Sequence, residues 1–244
     1  MTQTCALVGA AGGAGTTRLA VEMGATLTRT GRDVAVVDAA YETQGLADYV
    51  EGRIAADVTE LVTENATLDS VVHPAGLDTP GQLSLCPARA PFERLARAKT
   101  AGGAEKLEKQ IAAIALSHDV VLVDTPPLAS NQAVAAVNAV DRIAVVTPDS
   151  ERGEDALARL TGRLADVGES ADAVVGNFSA GSQVVADADA RVPESEVRAP
   201  SKAPASLDGT DSFRRGVVVA ADAALAADFD IDADGGGRLG GIFG

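Results

Sequence analysis

A glycine-rich stretch near the start of the chain has the composition and spacing of a phosphate-binding loop. It reads VGAAGGAGTTR from Val8 to Arg18, between a short apolar run and a segment with helical periodicity. Glycines in such a turn let backbone N–H groups converge on an anion, and the N-terminus of the following helix adds partial positive charge. The stretch contains no lysine. It could therefore be a nucleotide site without its main charge, another kind of cofactor loop, or only a tight turn.

Two aspartates follow apolar runs that have strand character. Asp38 stands near the end of DVAVVDA, and Asp124 ends DVVLVD. Continuous apolar runs are typical of parallel strands that are buried on both faces. Strand and helix patterns alternate along most of the chain. This alternation predicts an α/β fold with three layers, in which a mostly parallel central sheet lies between helices and binds ligands at the carboxyl ends of its strands.

We predict a single domain over residues 1–230 and a flexible glycine-rich tail over residues 231–244. Several segments have weaker patterns. We expect LDSVVH and QLSLCPA to form strands, a helix from Phe92 to Leu116 to break near Gly102 and Gly103, and the segment from Ser179 to Asp211 to be mostly loop.

The composition is acidic and poor in lysine. The net charge is −15, the pI is about 4.4, and only four of the 20 basic residues are lysines. Excess carboxylate keeps a protein soluble where salt screens charges within ~3 Å at 1 M. The pattern favours a halophile's cytoplasmic protein over an ordinary acidic one, and it argues against non-specific DNA binding. Cys5 and Cys86 lie in apolar runs and are interpreted as buried free thiols. We see no signal peptide and no membrane span.

A dinucleotide fold is one alternative. The spacing G-x-x-x-G-x-G and the position of Asp38 also fit a short-chain dehydrogenase. Those enzymes need a tyrosine followed four residues later by a lysine. Tyr41 and Tyr49 are instead followed by Gly45 and Arg53. The chemistry of that class is therefore missing.

The whole series of motifs resembles the MinD/ParA family of P-loop ATPases. Its loop K-G-G-x-G-K-T aligns with Gly12, Gly13, Gly15 and Thr17, and HDVVLVDTPP resembles its Walker B strand. The segment DVAVVDAAYETQGLADYV resembles its first switch region. AVVGNF and ARVPESEV resemble its adenine-binding segments. The similarity runs in order along nearly the whole chain, and with the composition it suggests a haloarchaeal member.

The resemblance implies ATP or ADP with Mg²⁺ as the ligand. The implied nucleotide-binding residues are Gly12, Gly13, Ala14, Gly15, Thr16, Thr17, Asn177 and Pro193. Thr17, Asp38 and Asp124 would hold or approach the metal ion, and Asn177 would recognise adenine. His73 and His118 are assigned no metal site.

Three charged residues of the family are replaced. Thr16 and Ala11 stand where the two loop lysines belong, and Ala40 replaces the second acid of a D-x-D motif. Arg18 is the nearest cation, and we expect its side chain to point away from the phosphates. The substitutions predict weakened binding and slow or absent hydrolysis. Whether the chain is an enzyme stays open: a pseudo-ATPase in positioning or partitioning, a regulatory partner, or an active ATPase would each fit the resemblance.

The resemblance also implies a protein partner. It could be a second copy of the chain or a paralogue that pairs through the same face. Family members of the MinD type end in a short membrane-binding segment, and the tail here offers Leu239, Ile242 and Phe243. Its glycine content and single Arg238 make a disordered tail the better prediction.

Overall fold

A computed structural model describes residues 2–64, 66–181, 183–208 and 211–231. Within these ranges strands and helices alternate along the chain. The strands are β1 (Gln3–Gly9), β2 (Val34–Asp38), β3 (His73–Pro74), β4 (Leu83–Cys86), β5 (Val120–Thr125), β6 (Arg142–Pro148), β7 (Ala173–Ser179) and β8 (Ala190–Pro193). The helices are α1 (Thr16–Thr28), α2 (Val58–Thr63), α3 (Leu68–Val71), α4 (Phe92–Ala98), α5 (Ala101–Ala115), α6 (Asn131–Asn138), α7 (Glu151–Asp166) and α8 (Asp211–Leu225).

The strands form one sheet in the order β3-β4-β2-β5-β1-β6-β7-β8. All neighbouring pairs are parallel except β3 with β4. Alternate residues of the central strands face opposite layers. Leu7 and Leu122 pack with α1 and α8, whereas Val123 packs with α2, α5 and α6 on the other face. The predicted three-layer α/β fold with a mostly parallel sheet is confirmed.

The residues of weaker pattern differ in part from the expectations. LDSVVH was expected to be a strand, but Leu68–Val71 is helical and only His73–Pro74 joins the sheet. The long helix breaks at Thr100, not at the two glycines, because the Thr100 hydroxyl caps the new helix by accepting from the Gly103 N–H. Gly103 suits that first turn, since a Cβ there would lie 2.2 Å from the Ala98 carbonyl oxygen.

The segment from Ser179 to Asp211 contains strand β8 and a short 3₁₀ helix at Pro200–Lys202 between loops. Cys5 and Cys86 are buried and unbonded, as predicted. The predicted tail, which includes Leu239, Ile242 and Phe243, lies outside the described residues from position 232 to its end. No helix in the described part of the chain is long and apolar enough to cross a membrane.

Glu22 joins α1 to a loop near the end of the chain. Its carboxylate is fully buried and accepts hydrogen bonds from the backbone N–H groups of Ala205 and Ser206, at 2.8 and 2.7 Å. It also pairs with Arg18 Nε at 2.6 Å. A buried charge is stable only when such partners satisfy it. This carboxylate therefore ties α1 to the loop that precedes α8.

We predict that Glu22→Ala lowers the free energy of unfolding by about 3–5 kcal/mol, because it leaves the largely buried Arg18 guanidinium and two buried N–H groups without their acceptor. Chemical denaturation in molar KCl would measure the loss. Glu105→Ala, on the exposed face of α5, is the control and should change stability by no more than about 0.5 kcal/mol. A loss as small in Glu22→Ala as in the control would contradict the assigned role.

Candidate functional site

The glycine-rich loop runs from the end of β1 to the start of α1. Gly13 and Gly15 have φ values of 78° and 81°, in the left-handed region that favours glycine. The Ala10 N–H donates to the Val146 carbonyl of β6, which fixes the start of the loop. Helix α1 begins at Thr16 without a side-chain cap. The N–H groups of its first turn are therefore available to an anion.

A cavity of about 310 Å³ lies over this loop at the carboxyl ends of the strands. Its size is within the range of small-molecule sites. The lining consists of Gly9, Ala11, Gly12, Gly13, Ala14, Gly15, Thr16, Thr17, Arg18, Ala40, Thr43, Gly45, Tyr49 and residues 124–127. Gly12, Gly13, Ala14, Gly15, Thr16 and Thr17, the six loop residues that the resemblance implies, therefore all line one cavity. Thr43, Gly45 and Tyr49 also line the cavity but were not predicted as site residues. Only the general likeness of their segment to a switch region pointed to them.

Thr17 and Asp124 meet at the floor of the cavity. The Thr17 hydroxyl donates to Asp124 Oδ2 at 2.5 Å, which joins the first turn of α1 to the end of β5. Asp124 is buried. The two residues supply oxygen atoms of the kind that Mg²⁺ prefers.

Asp38 lies beside Asp124 but does not line the cavity. The register of β2 and β5 places the two residues opposite each other. Asp38 Oδ1 accepts from the Ala40 N–H at 2.8 Å, and Oδ2 accepts from the Ala88 N–H at 3.2 Å. Each carboxylate oxygen therefore accepts one backbone hydrogen bond, which fixes the Asp38 side chain beside Asp124.

Burial has the largest effect on the pKa values of Asp38 and Asp124. It raises the pKa of Asp124 to about 6, although the Thr17 hydrogen bond works in the opposite direction. Burial, followed by the charge of Asp124, raises the pKa of Asp38 well above its usual range, and backbone N–H groups oppose that rise. The two carboxyl groups share one low-dielectric region, so ionisation of either disfavours ionisation of the other.

The three family charges are absent from positions that face the cavity. Ala11, Thr16 and Ala40 all line it. Arg18 is the cation among the lining residues, but its Nε is bound to the buried Glu22 one turn further along α1. The ion pair holds the guanidinium close to Glu22, and Arg18 remains among the residues that line the cavity.

Asn177 and Pro193 occupy different surroundings. Asn177, at the end of β7, is 5% exposed, and its Nδ2 donates to the Ala14 carbonyl of the loop at 2.9 Å. Its amide is thus engaged with the loop itself. Pro193 is not among the residues lining the cavity; it lies against α8, where a Cβ at Gly216 would be 2.9 Å from its Cδ.

The pKa shift of Asp124 gives stability a specific pH dependence. The folded-state pKa is above the unfolded value, so the folded protein binds more protons between about pH 4 and pH 6, and stability falls as the pH rises through that window. Asp124→Asn removes the buried charge. We predict that it raises the free energy of unfolding by about 2–3 kcal/mol at about pH 8, with the gain vanishing near pH 4.

Denaturation curves with a metal chelator present would measure this difference across the pH range. Asp155→Asn, an exposed change on α7, is the control and should show no such trend. A gain for Asp124→Asn that stays constant with pH would show that the carboxyl group is not responsible.

Comparisons with known proteins agree with this architecture. A family model described as "AAA domain" matches residues 2–174. No curated protein matches the chain in sequence. MinD of Pyrococcus horikoshii, complexed with Mg-ADP, is similar in structure with a TM-score of 0.74, 18% identity, and coverage of 91% of this chain and 95% of that one.

Two further structures are similar. The MinD of the MinC:MinD complex from Aquifex aeolicus has a TM-score of 0.73, with 20% identity and coverage of 90% and 94%. An ATP complex of Cyanothece McdA has a TM-score of 0.70, with 19% identity and coverage of 93% and 97%. The chain therefore belongs to the AAA domain family, and its fold is that of the MinD/ParA P-loop proteins.

Proposed function

We propose that the chain is a MinD/ParA-like nucleotide-binding protein of the cytoplasm that hydrolyses ATP very slowly or not at all. It would act in intracellular positioning or partitioning, or as a regulatory partner. One observation carries the proposal. The phosphate loop and the Thr17–Asp124 pair are intact, whereas the cavity-facing positions Ala11, Thr16 and Ala40 lack the charges that phosphoryl transfer uses.

The residues present fit a Mg²⁺–nucleotide complex. Mg²⁺ is bound in such sites by one or two protein oxygens together with waters and phosphates, not by a closed protein cage. Thr17 would ligate the ion through its hydroxyl, and Asp124 would hold one of its waters. Asp38, which is buried beside Asp124 and bound to the Ala40 and Ala88 N–H groups, would stand near the ion. The bound ion would neutralise phosphate charge in the place of the missing lysines.

The loop backbone would hold the phosphates. N–H groups of Gly12 to Thr17 and the start of α1 supply donors that do not depend on side chains. The lysine missing at Thr16 would remove a charge-assisted contact of about 1.5–3 kcal/mol. The missing transition-state charge could lower the rate by ~10³-fold or more. These magnitudes support retained binding with little turnover.

A non-catalytic scaffold that pairs with a second copy or a paralogue is the second candidate. The tip of the loop favours it, because Gly12 and Gly13 are exposed and Ala11 is partly exposed. A partner surface could approach the tip without meeting a charged side chain. Nucleotide-dependent pairing would support the switch, and pairing that ignores nucleotide would support the scaffold.

Titration calorimetry with ATP and Mg²⁺ in molar KCl tests the proposal. We expect the wild type to bind ATP and Asp124→Ala to bind it at least about tenfold more weakly, because a water ligand of the ion is lost. Asp155→Ala is the control and should bind as the wild type does. If the wild type bound no nucleotide, the proposal would be refuted and the loop would have only a structural role.

Restoring the loop lysine tests whether the missing charge weakens nucleotide binding. We predict that Thr16→Lys tightens ATP binding by about 10- to 100-fold, since one charge-assisted contact returns. Thr161→Lys adds the same charge on the exposed face of α7 and should leave binding unchanged. A wild-type hydrolysis rate in the usual ATPase range, ~1 s⁻¹ or faster, would contradict the proposal directly.

A further inference from the structure

A second cavity adjoins the one over the glycine loop. It has a volume of about 200 Å³ and lies beside α1 and β4. Tyr49 lines both cavities and therefore forms a wall between them. We call the second one the Tyr49 cavity. The proposed nucleotide site makes no use of it, so its lining has to be explained by another ligand or by packing alone.

The floor of the Tyr49 cavity is apolar. Val21 of α1 and Leu83 and Leu85 of β4 are buried, and the half-buried Val50 and Leu77 close its sides. A dry apolar cavity of about 150 Å³ is enough to bind benzene. The volume here therefore suits one ring or one branched alkyl group. Because the floor consists of buried side chains, a small body reaches it more readily than a flat protein surface does.

The rim of the same cavity is acidic. Asp48 and Glu51 line it and are exposed, and its lining residues, all of them described, include no cation. The larger cleft beside it differs, because its lining balances two acidic residues with Arg29 and Lys202. Carboxylates at the mouth of an apolar cavity favour a ligand that carries positive charge.

A short 3₁₀ helix connects the Tyr49 cavity to the loop cavity. It spans Gly45–Tyr49 and is held in the core by the buried Leu46. At its first residue the helix packs on Thr17, since a Cβ at Gly45 would lie 3.4 Å from the Thr17 hydroxyl oxygen. At its last residue it forms the wall between the cavities. A ligand that packs on Tyr49 therefore acts on a helix whose other end contacts Thr17.

Polar contacts join the same two cavities by a second route. Burial raises the pKa of Tyr49, and the charge and hydrogen bond of Arg18 oppose that rise. Arg18 pairs in turn with Glu22, which accepts from the backbone N–H groups of the two residues after Pro204. Pro204 itself lines the Tyr49 cavity. The Glu22 carboxylate is thus bound both to the wall of this cavity and to a residue that lines the loop cavity.

We infer that the Tyr49 cavity is a second ligand site, which takes a small organic cation with an apolar body and is coupled to the loop cavity. The apolar floor would take the ring or alkyl group, and Asp48 and Glu51 would contact the charged group at the rim. A ligand against Tyr49 would hold the 3₁₀ helix on Thr17 and so strengthen nucleotide binding. This coupling rests on the proposed function, whereas binding of the cation does not.

Three probes separate the apolar contact from the charge. Benzylammonium has a ring and a charge, benzyl alcohol has only the ring, and methylammonium has only the charge. Each would be titrated into the full chain in molar KCl and followed by ligand-observed NMR. We expect benzylammonium to bind with a dissociation constant of about 1 mM, at least about fivefold more tightly than benzyl alcohol. Methylammonium should not bind.

A double variant of the rim tests the charge. Asp48→Asn with Glu51→Gln should reduce benzylammonium binding to the level of benzyl alcohol, and should leave benzyl alcohol binding within about twofold of the wild type. Glu154→Gln with Asp155→Asn removes the same charges from exposed positions of α7. This control should bind all three probes as the wild type does.

A cavity-filling variant tests the location. Ala75 lines the Tyr49 cavity, and Ala75→Leu should weaken binding of both ring-bearing probes by at least about tenfold, because the larger side chain takes up the space of the ring. Ala112→Leu adds the same side chain at an exposed position of α5 and should leave both affinities unchanged.

Titrations of ATP test the coupling. We predict that saturating benzylammonium tightens ATP binding by about three- to tenfold. ATP should tighten benzylammonium binding by the same factor, because coupling between two binding sites is reciprocal.

The inference is overturned if benzylammonium does not bind, if benzyl alcohol binds as tightly, or if Ala75→Leu leaves both ring-bearing probes bound as before. ATP affinity that does not respond to benzylammonium would overturn the coupling. If the wild type bound no ATP, the proposed function would fall, while the three probes would still decide whether the Tyr49 cavity is a ligand site.

Discussion

Asp38 and Asp124 are buried side by side at the carboxyl ends of two adjacent parallel strands. Their carboxyl groups constrain the loops that follow the strands at this end of the sheet. Buried carboxylates need donors, and backbone N–H groups supply them here. By binding the Ala40 and Ala88 N–H groups, Asp38 fixes the loop after β2 against the loop after β4. The Gln44 amide joins the same two loops by exchanging hydrogen bonds with the Ala90 backbone, at 3.0 and 3.2 Å. The cavity wall opposite the glycine loop follows from these bonds.

The balance of charge at this edge bears on what it could bind. The acids are retained, and the cations expected beside them are replaced by Ala11 and Thr16. A nucleotide brings several negative charges of its own, and an ionised carboxylate in the buried pair would repel them. Backbone N–H groups and a divalent cation are the means that remain to offset this repulsion. Binding would then depend more strictly on the metal ion than in a loop with lysines, because no side chain takes over its charge.

The sequence was sufficient for the features that periodicity and chain order determine. Buried parallel strands give continuous apolar runs, so β1, β2 and β5 and the carboxyl-end position of Asp124 were predictable. It was insufficient where a few local bonds decide. The break between α4 and α5 at Thr100 depends on the helix cap that the Thr100 hydroxyl forms, and two nearby glycines were the more obvious sequence signal. The sequence predicted that Asp38 lies near the metal ion. It could not show that backbone N–H groups donate to both of its carboxylate oxygens. The sequence marked the segment that ends in Phe178, but not the backbone irregularity between Asn177 and Ser179, which arises from pairing with β8.

The two ends of the glycine loop are held by different parts of the sheet. The first depends on β2, β5 and the Thr17–Asp124 bond, and the second on β7, its bulge and Asp149. They meet at Ala14 and Gly15, where Asn177 binds the loop. Gly15 must remain a glycine both for its positive φ and for the side chains that crowd it. The three positions at which the resemblance predicts charged residues, Ala11, Thr16 and Ala40, take no part in these bonds under our proposal. The loss of those charges could therefore remove turnover while leaving the framework for nucleotide binding unchanged.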